Sequence, residues 1–135
     1  MSRHTVRADW LGEQHAFLLR DRQGFPVATG EPLGANAADL LPMSLIGCSA
    51  YDAIGIALKQ RQRVTALAVA AECEQDDDPP WRYQRIRLVY HFRGYDLSER
   101  ALRRAVELAE GKYCAVYATL RDAVAIESVV EIENL

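Results

Sequence analysis

Residues 64–93 constrain the fold more than any other stretch of the chain. Ile86, Leu88, Tyr90 and Phe92 alternate with Arg85, Arg87, His91 and Arg93. That period of two belongs to a strand with one face buried and one face wet. Residues 64–74 read as another strand ahead of it. Between them, Asp76-Asp77-Asp78-Pro79-Pro80 is a turn that neither a helix nor an inner strand tolerates, because proline has no N–H to donate. Strands at 64–74 and 81–93 therefore form one long hairpin.

The residues before the hairpin read as a three-stranded antiparallel meander and a long helix. Val6, Ala8 and Trp10 alternate with polar neighbours, and residues 15–19 and 25–29 supply two further short strands around the turn Asp21 to Gly24. Asn36 followed three residues later by Asp39 is a capping-box-like pair. Pro42 suits a first helical turn, so the expected main helix runs from Pro42 to about residue 62 after a short turn through Leu41. Its small residues Gly47, Ala50, Ala53 and Ala57 fall along one side and offer close approach to another helix. Downstream, Asp96-Leu97-Ser98-Glu99 reads as a capping box. Leu102, Ala105, Val106 and Ala109 form the buried stripe of the helix that follows, and Gly111 is expected to end it. Residues 114–120 form a second short helix, and Val124, Ile126, Val130 and Ile132 a final strand. Strands grouped apart from helices indicate an α+β fold, and 135 residues suit a single domain over 1–135.

Composition narrows the partners. Half of the residues are apolar, about a quarter are charged, and the formal net charge is −3, so no nucleic-acid partner is expected. The arginines at 82, 85, 87, 93, 100, 103 and 104 are offset by acidic residues and read as a solvated face. The first residues, Met1-Ser2-Arg3-His4-Thr5, lack the apolar core of a signal peptide. The longest apolar run, 40–58, is interrupted by Pro42, Ser44, Ser49 and Asp52 and is not expected to cross a membrane. The expected compartment is the cytoplasm, where thiols stay reduced. His4, His15 and His91 are scattered and read as surface or strand histidines. Neither a metal site nor a cofactor is expected.

The three cysteines do not suit a disulfide framework. Cys48 lies midway along the long helix in Gly47-Cys48-Ser49-Ala50-Tyr51-Asp52, and Cys114 lies where the short helix begins. Two thiols on separate helices point to redox chemistry, although each also has a bland reading as a small buried hydrophobe. A thiolate is the nucleophile, so a reactive Cys48 needs a cation, for which the meander offers Arg20 and Arg22. Its oxidation product, a sulfenic acid, condenses with a second thiol within reach. A helix N-terminus at Cys114 favours that role. Cys73, on a strand, reads as structural. Tyr51 and Tyr113 are pocket candidates, with packing as the competing role, and Asp52 reads as a solvated or capping carboxylate.

Two stretches carry a resemblance that sharpens this reading. Gly34-Ala35-Asn36-Ala37-Ala38-Asp39-Leu40-Leu41 leading into Gly47-Cys48-Ser49-Ala50-Tyr51-Asp52, and Glu110-Gly111-Lys112-Tyr113-Cys114-Ala115-Val116-Tyr117-Ala118, resemble the OsmC/Ohr family of thiol-dependent hydroperoxide reductases. The Lys-Tyr-Cys form is similar to the OsmC-like branch. The resemblance implies an intertwined homodimer with sites at the subunit interface, Cys48 as the peroxidatic thiol and Cys114 as the resolving thiol. It also implies small organic hydroperoxides as substrates and an external dithiol as reductant. The chain departs from the hydroperoxide branch at Ala38, where that branch has a glutamate that orients an arginine over the thiolate. Asp39, one residue later, is rotated by ~100° on a helix and is either a compensating carboxylate or only a helix-cap partner. The competing class is a non-enzymatic dimeric binding module with a thiol-lined apolar pocket. A purely structural dimer is a third.

Overall fold

Three short strands open the chain; the alternation of Val6, Ala8 and Trp10 marks the first, but all of its residues are exposed rather than half-buried. In a computed structural model describing residues 1–135, β1 (Arg7–Trp10), β2 (Phe17–Arg20) and β3 (Pro26–Thr29) form an antiparallel sheet in that order. They belong to a compact unit, Met1–Leu41; residues Pro42–Leu135 form a second. In the first unit Gly30 has a φ of +78°, and a Cβ there would collide with the carbonyl of His15. Only glycine fits both the backbone angle and that approach.

The long helix is α1 (Leu40–Lys59). A short 3-10 turn, Ala37–Asp39, precedes it, and Asn36 caps that turn by accepting the N–H of Ala38 at 2.9 Å. The helix therefore starts two residues earlier than expected and ends before residue 60. Pro42 sits in its first turn, where a missing N–H leaves no bond unmade. By length and composition the helical stretch Ala37–Lys59, with a mean hydropathy of 1.4, is apolar enough to cross a membrane. Leu45, Ser49, Ala53 and Ala57 on it are fully buried, which is the packing of a core helix.

The hairpin forms as expected from β4 (Arg63–Gln75) and β5 (Tyr83–Tyr95). Next come α2 (Glu99–Leu108), a π-helical turn at Ala109–Tyr113, α3 (Ala115–Leu120) and β6 (Ala125–Asn134). β6 pairs with β5 in parallel, from Arg85 opposite Ala125 to Gly94 opposite Asn134. The helices are thus the crossover that a parallel pair needs. β5 is the central strand of the sheet. Its Ile86, Leu88, Tyr90 and Phe92 join Leu45, Ala53 and Ala57 of α1 and Leu102, Ala105 and Val106 of α2 in one core. The other face is wet and charged: Arg87 meets Glu72 at 2.7 Å, Arg85 meets Glu127, and His91 lies between Glu131 and Glu133. The arginines of β5 are a solvated face, as their sequence context indicates.

Four local expectations are corrected. Gly111 does not end the helix after Leu97, because the chain continues through the π turn to Tyr113. Ser98 alone caps α2, accepting the N–H of Ala101, while Asp96 has a positive φ of 49° and pairs with Arg63. His4 and His15 lie outside the strands, and only His91 is on one. The small-residue stripe of α1 is split: Ala53 and Ala57 enter the core, whereas Gly47 and Ala50 line an open apolar groove with β4.

Candidate functional site

Cys48 and Ser49 are neighbours on α1, but helical geometry turns them about 100° apart. Ser49 falls on the buried phase with Leu45, Ala53 and Ala57. Cys48 is half-buried at the margin of that face. Cys114 is 2% exposed. The π turn delivers it: its N–H bonds to the Ala109 carbonyl at 2.8 Å, and its extended φ and ψ make it the cap of α3. Single π turns gather at functional positions because they re-aim side chains within a helix.

Three groups meet the Cys114 sulfur. The Ser49 hydroxyl donates to it at 3.3 Å, and the Tyr117 N–H donates at 3.3 Å. The Cys48 thiol is the third, near enough to influence the ionisation of Cys114. Burial pushes the Cys114 thiol up from its ordinary pKa, and proximity to Cys48 adds to the rise; the hydrogen bonds from Ser49 and Tyr117 oppose it. Cys114 therefore rests as a thiol and must lose a proton before it can attack.

A second buried polar group lies behind Ser49. Glu110, in the π turn, is 8% exposed. Its Oε2 accepts the Tyr90 hydroxyl at 2.9 Å and the Ser128 hydroxyl at 2.6 Å. The Tyr90 hydroxyl is also a near neighbour of Ser49, which acts against the upward shift of the phenol. Burial raises the Glu110 carboxyl above the usual glutamate value, and the two hydroxyl donors hold it partly down. Burial, then the Glu110 charge, raises Tyr90. A polar chain thus runs from Cys114 through Ser49 and Tyr90 to Glu110.

The other residues singled out in the sequence take simpler positions. Arg20 and Arg22 belong to the N-terminal unit. There Arg20 donates to the Gly24 carbonyl at 2.9 Å, and Arg22 lies 3.2 Å from the His4 ring. Asp39 is in the 3-10 turn, its N–H bonded to the Asn36 carbonyl. Tyr51 is 80% exposed and borders the apolar groove. Tyr113 is half-exposed beside Cys114, with the Lys112 ammonium 5.4 Å from its ring. Cys73 is on β4 opposite Ile86, on the same face of the sheet as that residue, but exposed near the end of the strand. No cluster of side chains suited to a metal ion is present.

Sequence reasoning found both thiols and missed Ser49, Tyr90, Glu110 and Ser128. A signal was there. Ser49 holds the core phase of α1, Tyr90 the inward face of β5, and Glu110 the position one turn beyond Val106. A polar side chain at a core position on each of three elements is a buried network in outline.

The chain as a whole has counterparts in sequence and in fold. The OsmC-like protein family model matches residues 29–129. The protein YhfA of Escherichia coli strain K12 is 33% identical over 130 residues, covering 94% of this chain and 96% of that one. The crystal structure of a hypothetical protein from Aquifex aeolicus superposes with a TM-score of 0.83 at 29% identity, covering 98% of this chain and 99% of that one. The organic hydroperoxide resistance protein OhrB of Bacillus subtilis shares the fold, with a TM-score of 0.63 at 17% identity over 98% of both chains.

Proposed function

The chain belongs to the OsmC-like protein family, and on that premise we propose that it is a cysteine-based peroxidase that reduces small organic hydroperoxides to alcohols. The observation that carries this reading is the nearness of the Cys48 and Cys114 thiols, which come from separate elements of the fold. The more open thiol, Cys48, is the attacking group. Its thiolate takes the terminal oxygen of the hydroperoxide, the O–O bond breaks, and the alkoxide leaves and is protonated to the alcohol. Cys48 is left as a sulfenic acid. Cys114 then attacks the Cys48 sulfur, the S–O bond breaks, and water leaves as the disulfide closes. An external dithiol reduces that disulfide and resets the enzyme.

The mechanism calls for a cation beside the attacking thiolate, and the candidates from the sequence are Arg20 and Arg22, with Asp39 as the carboxylate candidate in place of the glutamate absent at Ala38. The working form is a homodimer. The groove of about 730 Å³ lined by Ile46, Gly47, Ala50, Ile54 and Leu58 of α1 and Val64, Leu67 and Val69 of β4 supports this, because a contiguous apolar surface of that kind marks an association site. Stopped-flow reduction of cumene hydroperoxide with dithiothreitol tests the proposal. Turnover by the wild type and its loss in Cys48→Ser are the expected results, and equal rates in the two would reject it.

The same groove favours a second reading, a dimeric binding module without turnover. Under it, a small apolar ligand raises the melting temperature by mass action, and peroxide is not consumed.

A further inference from the structure

We propose that Ser49, Tyr90 and Glu110 form a proton path that receives the thiol proton of Cys114 as its sulfur attacks Cys48. This deepens the peroxidase reading and rests on it. The attacking sulfur is 2% exposed, so bulk water is a poor acceptor for its proton. What the sulfur does touch is the Ser49 hydroxyl at 3.3 Å. Ser49 is also a near neighbour of the Tyr90 phenol, and the phenol donates to the Glu110 carboxylate at 2.9 Å. A hydroxyl has one proton and two lone pairs and turns to suit its partners, so each link serves in either direction.

The Cys114 S–H proton passes to Ser49 Oγ, the Ser49 proton to Tyr90 Oη, and the Tyr90 proton to Glu110 Oε2. The freed electron pair on the Cys114 sulfur forms the S–S bond. The S–O bond of the Cys48 sulfenic acid breaks, and hydroxide leaves from the half-open side, where solvent protonates it. Glu110 returns its proton as the site resets. The path ends where an acceptor should be. The groups facing Glu110 are Tyr90 from β5, Ser128 from β6 and Tyr117 from α3, and no cation acts on the carboxylate. Burial without a cation raises its proton affinity toward neutrality. A merely structural acceptor for two hydroxyls needs no charge; glutamine has the same shape and accepts the same bonds.

That difference supplies the test. The reduced protein is mixed with one equivalent of diamide, which needs no peroxidase activity. The Cys48 thiolate adds to the N=N bond. Cys114 then displaces the hydrazine and closes the disulfide. Quenched mass spectrometry follows the Cys48 adduct and the Cys48–Cys114 disulfide separately, from mildly acidic to mildly alkaline pH. In Glu110→Gln the adduct is expected to form at the wild-type rate. Closure is expected to slow by about 100-fold or more at neutral pH and to recover in alkali, where hydroxide substitutes. Tyr90→Phe and Ser49→Ala are expected to behave alike, with Ser49→Thr restoring closure. Wild-type closure in Glu110→Gln at every pH overturns the path, as does a defect in Tyr90→Phe and Ser49→Ala that Glu110→Gln does not share. If organic hydroperoxides leave both thiols untouched while diamide closes the disulfide with this Glu110 dependence, the path stands and the peroxidase reading fails.

Discussion

The hydroxyl of Ser49 donates to the sulfur of Cys114 across 3.3 Å in a fully buried setting. Because Ser49 is bonded to Cys48, one peptide unit of α1 fixes both the open thiol and the partner of the closed one. Any shift of α1 along its axis moves the two together. The site is therefore built from a helix phase that serves packing and chemistry at once: Ser49, Ala53 and Ala57 share the buried side of α1, and the first of them carries the hydroxyl bonded to Cys114.

Ser49→Ala removes a hydrogen bond that holds the Cys114 thiol down against the upward push of burial. The thiol pKa should rise further, leaving less thiolate at neutral pH. Iodoacetamide alkylation in a Cys48→Ser background, followed by mass spectrometry of the Cys114 peptide, reads this directly. Slower alkylation in the double variant is the expected result, and a faster one would show that the hydroxyl disfavours the thiolate. Stability should change by only about 1 kcal/mol, the net contribution of one hydrogen bond.

Glu110 makes stability depend on pH with a definite sign. Its folded-state pKa is raised by burial, so the folded chain holds this proton more tightly than the unfolded one. That contribution to stability is complete below the unfolded value of ~4.3 and is lost as pH rises through the raised folded value. Glu110→Gln removes the titration. Its melting temperature relative to wild type should therefore climb as pH rises from acid toward neutrality and level off beyond. A difference that is flat or falls over that window contradicts the assignment.

The legible parts of the fold were those that one element determines alone. β5 could be read from its own alternation and the hairpin from its acidic proline turn, because period and turn chemistry are local. That β6 lies parallel to β5 was not legible: Val130 and Ile132 mark a strand, but its neighbour is set by how the intervening helices cross. The π turn was hidden for the same reason. Gly111 is a helix stop by composition, yet tertiary packing carries the backbone two residues further and aims Cys114 inward. On α1, the small residues looked like one stripe. Packing divides them, because residues 45, 49, 53 and 57 recur every four positions on one side and Gly47 and Ala50 lie on the other. At the site, the thiols announced themselves by residue type, whereas Ser49, Tyr90 and Glu110 each had to be seen as exceptions within an apolar pattern.

The divided stripe of α1 predicts two different outcomes for two similar alanines. Ala53 is fully buried in the core, and Ala53→Leu should destabilise the fold by about 1–3 kcal/mol through overpacking, measured by urea denaturation. Ala50 borders the open groove, and Ala50→Glu should leave the urea midpoint of the isolated chain nearly unchanged. In the dimer reading it places a charge within an apolar interface, so light scattering should find monomers. A stable dimer of Ala50→Glu would assign the groove to something other than self-association.

Cys114→Ser separates the first oxidation from the second. The variant keeps a hydroxyl beside Ser49 and the N–H of Tyr117, so the local bonds survive and the fold should persist. With one equivalent of hydroperoxide, Cys48 should still reach the sulfenic acid, which dimedone traps. With excess hydroperoxide the wild type is protected by its disulfide, whereas the variant has no thiol to intercept the sulfenic acid and should proceed to the sulfinic acid. Mass mapping of the Cys48 peptide would show the gain of two oxygens and a parallel, irreversible loss of turnover. If the variant resists over-oxidation as well as the wild type does, Cys114 is not the group that protects Cys48.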